Sequence, residues 1–274
     1  MKLRAISTDR FGIQFAVLNR LFQWPFVRKI WSKIIRDNGP IDESLRPVFV
    51  IGCGHSGTSL LAAILAAHPS FGALTGETYA FRPWHRKEQI AAFLGRKITN
   101  EVPNKLRPLE KTPRHVHEVR RIRSLYSGAQ FVAIIKDGRD VVASIKRRTG
   151  RSRPAMARFS HDNKALLDLR DEDWVHILRY EDLVTCPEDT LRGVLRFLGE
   201  PYQPLHEEFH ERKYDWYKSG SDHSQRRNAQ VNSPLFNGSG GWRKGLTPKE
   251  LRHFVRRCGE VQALMGYEVH LATE

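Results

Sequence analysis

One stretch near the start of the chain brings together residue types that bind phosphate. Residues 47–51 are apolar and rich in β-branched side chains, so they predict a buried strand. Glycines and hydroxyl residues follow at 52–59, and an apolar run at 60–67 then predicts a helix. Glycine lets the backbone approach an anion closely, and the N-terminus of a helix presents free N–H groups and positive potential. Strand, glycine loop and helix in this order predict a phosphate cradle.

The loop differs from a triphosphate site at one position. Gly52 and Gly57 have the spacing of the pattern G-x-x-x-x-G-K-[ST], and Ser59 holds its hydroxyl position. Thr58 stands where that pattern has the lysine that reaches the β- and γ-phosphates. This difference argues against hydrolysis of ATP or GTP. A P-loop kinase for a nucleotide or small molecule stays open as an alternative, as does a glycine turn that only joins the strand to the helix.

A second strand, loop and helix adds a cation and a hydroxyl. Residues 130–135 predict a buried strand, Lys136 follows it directly, and Ser144 falls in the next predicted helix, 141–148. A cation at the end of a strand and a hydroxyl in the following helix are able to converge on one anion. The two loops together therefore predict binding sites for two anionic groups.

Residues 54–61, Gly-His-Ser-Gly-Thr-Ser-Leu-Leu, resemble the 5′-phosphosulfate loop of sulfotransferases that use 3′-phosphoadenosine 5′-phosphosulfate (PAPS). The similarity extends over residues 47–267 and is closest in pattern to the bacterial and protein-tyrosine-type enzymes. It implies that Lys136 and Ser144 hold the 3′-phosphate, although Lys136 replaces an arginine and lacks its bidentate fork. It also implies that the 5′-phosphosulfate is held by Gly54, His55, Ser56, Gly57, Thr58 and Ser59.

The same resemblance implies three catalytic residues. Glu77 follows Gly76 where related enzymes carry the carboxylate that deprotonates the acceptor hydroxyl. Lys111 takes the place of a lysine that faces the transferring sulfuryl group and neutralises charge on the bridging oxygen. His55 stands where relatives have lysine or arginine, and an imidazole with an ordinary pKa of about 6.5 makes that charge depend on pH. Tyr79 replaces an arginine of the protein-tyrosine branch, so the acceptor stays open.

A late segment, residues 241–245, resembles the family loop that closes over the nucleotide. It supplies Trp242 and two candidate phosphate ligands, Arg243 and Lys244, and the sequence does not choose between these two. Ser224 is a further candidate for the nucleotide loop.

Composition and charge point to an acidic partner. The chain has 274 residues, with 45 Lys and Arg against 30 Asp and Glu, which gives a formal charge of +15. This charge suits a phosphorylated cosubstrate and an anionic or membrane-associated acceptor. We expect no nucleic acid partner, and the alternative from another class is a non-catalytic basic protein of membranes or nucleic acid. The three cysteines form no C-x-x-C, which argues against a disulfide framework or a zinc ribbon, and we predict no metal site.

Residues 1–46 are predicted to form a separate, basic and amphipathic N-terminal segment. Aromatic residues lie among lysines and arginines over 11–36, and this composition suits either a membrane surface or packing on the domain. Arg20 and Arg28 interrupt the apolar runs, which stay below the roughly 18 to 20 residues that span a bilayer. We expect a cytoplasmic protein, either free or peripheral at the membrane.

Residues 47–274 are predicted to form the sulfotransferase domain. Strands alternate with helices, which predicts an α/β, three-layer P-loop-like fold with a central parallel sheet flanked by helices. Residues 149–173 and 200–241 are polar and are expected to be irregular. Four more elements are predicted: strands at 106–110 and 174–180 and helices at 85–95 and 113–126.

The function that these residues imply is transfer of a sulfuryl group. PAPS would be the donor, and a hydroxyl of a glycan, a lipid or a peptide tyrosine would be the acceptor. Adenosine 3′,5′-bisphosphate would be the second product.

Overall fold

The computed structural model describes residues 45–82, 85–103, 106–212 and 222–269. All but the last two residues of the predicted N-terminal segment lie outside these ranges, and its contact with a membrane stays a prediction. Within the described ranges, no helix is both long enough and apolar enough to cross a bilayer.

In the described part of the chain, five parallel strands form one sheet. Strand β1 (Val48–Gly52) is central, with Val48 opposite Leu109 of one neighbour and Gln130 of the other. The other strands are β2 (Phe71–Ala73), β3 (Arg107–Lys111), β4 (Gln130–Ile135) and β5 (Val175–Arg179). Their order across the sheet is β2, β3, β1, β4, β5, and the predicted parallel sheet is confirmed.

Helices connect the strands and cover the sheet. Within the described ranges they are accompanied by two short 3₁₀ turns, Pro113–His117 and Phe209–Arg212. The α-helices of the described residues are α1 (Thr58–Ala66), α2 (Lys87–Glu101), α3 (Val119–Leu125), α4 (Gly138–Thr149), α5 (Ser152–Leu167), α6 (Tyr180–Thr185), α7 (Pro187–Leu198), α8 (Leu205–Glu208), α9 (Asp222–Val231), α10 (Trp242–Gly245) and α11 (Pro248–Leu264).

Alternate residues of β1 pack into two separate cores, because successive side chains of a strand point to opposite faces of the sheet. Phe49 and Ile51 belong to a core that includes residues of α4, α5 and α11. Val48 and Val50 belong to a second core that includes residues of α1 and α7. Helices therefore pack on both faces of the sheet, and the predicted α/β fold of three layers is confirmed.

Helix α5 lies in the segment 149–173, so the prediction that this segment is irregular is wrong. The buried residues of α5 recur at intervals of three and four, as expected for one face of a helix. Two polar side chains occupy that face and interrupt the apolar pattern in the sequence. The buried face consists of Ala155, Met156, Phe159, Asp162, Asn163 and Leu166.

Two predicted helices also have different bounds. Helix α2 continues past Gly95, because this glycine faces open space and Ile98 still packs against the core. The predicted helix 113–126 is interrupted at Glu118, which separates a 3₁₀ turn from α3. Helices α8 and α9 lie within 200–241, which was also predicted to be irregular.

Candidate active site

The glycine loop between β1 and α1 packs tightly against its neighbours. Gly52 has a φ of 136° and Gly57 a φ of 100°, both in the region that favours glycine. A Cβ on Gly52 would lie 2.6 Å from the carbonyl oxygen of Ile134, and one on Gly57 would lie 2.7 Å from the ring of Tyr180. Thr58 then begins α1, a helix of nine residues. The loop thus leads directly into a helix N-terminus, an arrangement that binds anions.

A contact between His55 and Ser144 joins this loop to α4. Nδ1 of His55 lies 2.9 Å from Oγ of Ser144. His55 adopts a φ of 76°, which is uncommon for a residue other than glycine. The structure therefore brings together a residue predicted for the 5′-phosphosulfate and one predicted for the 3′-phosphate. The contact between His55 and a transferring group stays a prediction.

Lys136 follows β4 directly and packs against the same aromatic ring as the glycine loop. Its Nζ is 3.6 Å from the centroid of the Tyr180 ring, and the same ring packs against Gly57. Burial lowers the pKa of Lys136, while the carboxylates of Asp140 and Glu181 oppose that effect. A buried ammonium group in this position favours the approach of an anion.

Glu77 is the centre of a small hydrogen-bonded cluster. Its Oε1 accepts a hydrogen bond of 3.0 Å from Nζ of Lys111, and its Oε2 accepts one from the hydroxyl of Tyr79. The Lys111 side chain is fully buried, whereas that of Glu77 is 16% exposed. Burial and the neighbouring Glu77 raise the pKa of Tyr79, so its hydroxyl stays protonated and donates. The structure thus brings two of the predicted catalytic residues, Glu77 and Lys111, into contact.

Glu110 holds the segment that carries Glu77. Its Oε1 accepts hydrogen bonds from Oγ1 of Thr78 at 2.8 Å and of Thr112 at 2.5 Å. Its Oε2 lies 3.1 Å from Nδ1 of His115. Burial alone would raise the pKa of Glu110, but His115 and the hydroxyl donors hold it below its ordinary value. An ionised, buried carboxylate therefore fixes the turn after Glu77.

The late loop is tied to α4 by Asp140. The backbone N–H groups of Gly240 and Trp242 each donate to this carboxylate at 2.8 Å. The Trp242 ring lies 4.3 Å from the guanidinium carbon of Arg139 and 4.7 Å from that of Arg243. Helix α4, which also carries Ser144, thus positions the late loop.

The two cations of the late loop are both exposed, and only one has a described ring contact. Arg243 packs on Trp242, whereas Lys244 follows it in α10. Ser224 belongs to α9, but its side chain lies outside the described part of the chain, so its role stays a prediction.

A family model described as "Sulfotransferase family" matches residues 47–93 and 84–204, which together make up more than half of the chain. The chain belongs to the sulfotransferase family. The match begins at β1 and ends after α7, so it includes the glycine loop, Glu77, Lys111 and Ser144.

Curated sulfotransferases match parts of this chain. The protein-tyrosine sulfotransferase of Drosophila melanogaster is 28% identical in an alignment 202 positions long, and the match covers 59% of this chain and 40% of that protein. Carbohydrate sulfotransferase 2 of mouse and of human is 31% identical in an alignment 104 positions long, and the match covers 36% of this chain and 19% of those proteins. This sulfotransferase therefore matches less than half the length of these relatives.

Solved sulfotransferase structures share the fold. The sulfotransferase domain from the curacin biosynthetic pathway has a TM-score of 0.62 at 17% identity and covers 83% of this chain and 100% of its own. The sulfotransferase domain from the olefin synthase of Synechococcus PCC 7002 has a TM-score of 0.59 at 18% identity, and the match covers 85% of this chain and 100% of that domain. Mouse sulfotransferase SULT7A1, complexed with PAP, has a TM-score of 0.50 at 15% identity, and the match covers 85% of this chain and 92% of that protein.

Sequence reasoning assigned no role to several charged residues of this sulfotransferase. Glu110 and Asp140 lie inside recognised motifs, but only the structure shows which backbone and hydroxyl groups they hold. Arg158 and Asp162 lie on α5, whose apolar residues at 155, 156, 159 and 166 indicate a buried helix face but not the contacts of these two charged residues. In the described ranges, no group of three or more His, Cys, Asp and Glu side chains is placed to hold a metal ion.

Proposed function

We propose that this sulfotransferase transfers the sulfuryl group of PAPS to an acceptor hydroxyl. The observation that carries the proposal is the contact between His55 and Ser144, because it brings together one residue proposed for each of the two anion sites. PAPS carries anionic groups at its 5′ and 3′ positions, so one molecule would occupy both sites. The mouse sulfotransferase that was solved with PAP, adenosine 3′,5′-bisphosphate, supports the same nucleotide.

The residues present suit this nucleotide. Loop residues 54–59 would hold the 5′-phosphosulfate through N–H and hydroxyl groups, since the loop leads into the N-terminus of α1. Lys136 and Ser144 would hold the 3′-phosphate. In the late loop we favour Arg243 over Lys244, since the Trp242 ring holds its guanidinium.

Glu77 acts as the base in this proposal. When bound, PAPS supplies the sulfuryl group: the acceptor oxygen bonds to sulfur, the bond from sulfur to the bridging phosphate oxygen breaks, and adenosine 3′,5′-bisphosphate leaves with that electron pair. Glu77 takes the acceptor proton on Oε2, the atom that accepts from Tyr79 before an acceptor arrives. Protonation of Glu77 weakens its hold on Lys111, whose ammonium then neutralises charge on the bridging oxygen.

The acceptor is a hydroxyl compound, and three classes are proposed. By their names, the curated relatives act on protein tyrosine or on carbohydrate, and a lipid head group is the third class. The formal charge of +15 favours an anionic acceptor among them. Incubation with radiolabelled PAPS and separated protein, glycan and lipid fractions identifies the class. The proposal fails if no fraction is labelled and adenosine 3′,5′-bisphosphate does not shift the melting temperature.

Adenosine 3′,5′-bisphosphate is expected to raise the melting temperature by about 5–10 °C at a hundredfold excess over its Kd. AMP, which lacks the 3′-phosphate, should give a smaller shift. Ser144→Ala should weaken the bisphosphate about tenfold and leave AMP unchanged, because it removes a hydrogen bond to a charged group. Ser124→Ala, on an exposed serine of α3, is the control. Equal shifts with AMP and the bisphosphate in the unmodified protein would contradict a second anion site.

Tyr79→Phe is expected to raise kcat/KM for the labelled acceptor by about three- to tenfold, because it removes a donor that competes for Oε2 of Glu77. The phenyl ring keeps the contact with Arg82, whose guanidinium carbon lies 4.8 Å from the ring centroid. Initial rates across acceptor concentrations measure the effect. A lower kcat with unchanged KM would show instead that the hydroxyl assists the reaction.

A further inference from the structure

Arg158 is placed directly against the glycine loop. A Cβ on Gly54 would lie 3.0 Å from Cζ of Arg158 and still closer to its Nη2, so the guanidinium rests on the loop backbone. Residues 47–61 include neither lysine nor arginine. A permanent positive charge at the middle of this loop therefore comes from α5, about a hundred residues later in the chain.

A buried carboxylate holds Arg158 in this position. Asp162 is fully buried, and its Oδ2 lies 3.3 Å from Nε of Arg158, one turn away on the same helix. Its Oδ1 lies 2.8 Å from Nε2 of His117. Burial would raise the pKa of Asp162, but His117 and Arg158 hold it below its ordinary value, so the carboxylate is charged at neutral pH. Because Asp162 engages Nε, the terminal nitrogens are directed to the loop at Gly54.

The same guanidinium is close enough to the cluster around Glu77 to act on it electrostatically. The positive charge of Arg158 acts on the Tyr79 hydroxyl, opposing the rise of its pKa, and that hydroxyl donates to Glu77. Arg158 thus lies next to the loop that would hold the phosphosulfate and within electrostatic reach of the residues that would hold the acceptor. In the proposed function, the transferring group has to pass between these two sets of residues.

We propose that Arg158 is a further catalytic residue, which binds the sulfuryl group of PAPS through its terminal nitrogens. This inference rests on the proposed function. A guanidinium presents several donors in a plane and pairs with two oxygens of an anion at once. At this position it neutralises charge on the sulfuryl oxygens as the acceptor attacks. Adenosine 3′,5′-bisphosphate has no sulfuryl group, so it lacks this contact.

The experiment compares two ligands on matched variants. Kd values for PAPS and for adenosine 3′,5′-bisphosphate are measured by calorimetry for the unmodified chain, Arg158→Met, Arg158→Lys and the control Arg153→Met. Arg153 is exposed and lies on the same helix. Arg158→Met should weaken PAPS about tenfold or more, as expected for a lost charged hydrogen bond. It should leave the bisphosphate within about threefold.

Each outcome decides the proposal. Arg158→Lys keeps the positive charge, so it should recover part of the PAPS affinity, and Arg153→Met should change neither ligand. Equal losses for both ligands in Arg158→Met and Arg158→Lys would assign Arg158 a purely structural role, and unchanged PAPS affinity would also overturn the proposal. If the unmodified chain binds neither ligand, the proposed function itself fails and this inference fails with it.

Discussion

Glu77→Gln is expected to reduce sulfuryl transfer about a hundredfold or more, because a positioned general base contributes factors of this size. The amide keeps the shape of the side chain and one oxygen that accepts from Lys111. It does not take a proton from the acceptor hydroxyl. Nucleotide affinity should stay within about threefold, since Glu77 contacts Lys111 and Tyr79 and belongs to neither anion site.

Transfer of label to the acceptor fraction measures the rate, and the melting shift with adenosine 3′,5′-bisphosphate measures nucleotide binding. Glu88→Gln is the matched control, because Glu88 is an exposed carboxylate in the first turn of α2. Its rate should equal that of the unmodified chain. If Glu77→Gln retains full activity with normal nucleotide binding, Glu77 is not the base.

The sequence predicts those parts of the site in which one continuous stretch of chain contains the strand, the loop and the helix together. Strand, glycine loop and helix follow one another over residues 48–66, and β4, Lys136 and α4 do the same over 130–149. Their hydrophobic runs also predict the central strands, since parallel strands buried on both faces are apolar throughout. The fold class follows from these two units.

The parts that the sequence does not predict depend on contacts between distant residues. Nothing local indicates that Arg158 rests on Gly54, or that His55 meets Ser144. The sequence pattern does not predict helix α5, because Asp162 is a charged residue that is expected at the surface but is buried on the inner face of the helix. A buried charge is uncommon unless it is paired, and the pairing is visible only in three dimensions.

Glu110 illustrates the same limit inside a recognised motif. The resemblance identifies the neighbouring Lys111, which contacts Glu77 directly. Glu110 does not contact Glu77 directly but holds Thr78, the next residue, and Thr112. In the sequence it therefore looks like any polar residue at the end of a strand. Its effect on the protein should nevertheless be large, because its three described partners lose their acceptor together when it is removed.

Glu110→Ala is expected to lower the free energy of unfolding by about 3–5 kcal/mol at neutral pH, because several buried donors lose their acceptor together. Thr78, Thr112 and His115 would each lose an acceptor that is 1% exposed. Urea titration followed by fluorescence measures the change. Glu188→Ala is the control, since this carboxylate is 59% exposed and pairs with Arg192 at the surface. A loss below about 1 kcal/mol is expected there.

The loss caused by Glu110→Ala should depend on pH in a defined direction. The pKa of Glu110 is lower in the folded chain than its ordinary value of 4.5, so its carboxylate stabilises the fold above that pH. As pH falls below about 4.5, protons bind the unfolded chain first, and the stabilisation is progressively lost. The difference in unfolding free energy between the unmodified chain and Glu110→Ala should therefore narrow towards acid. A difference that stays constant down to about pH 3 would mean that Glu110 has the same affinity for protons in the folded and unfolded chain. That result would contradict a lowered pKa of Glu110 in the folded protein.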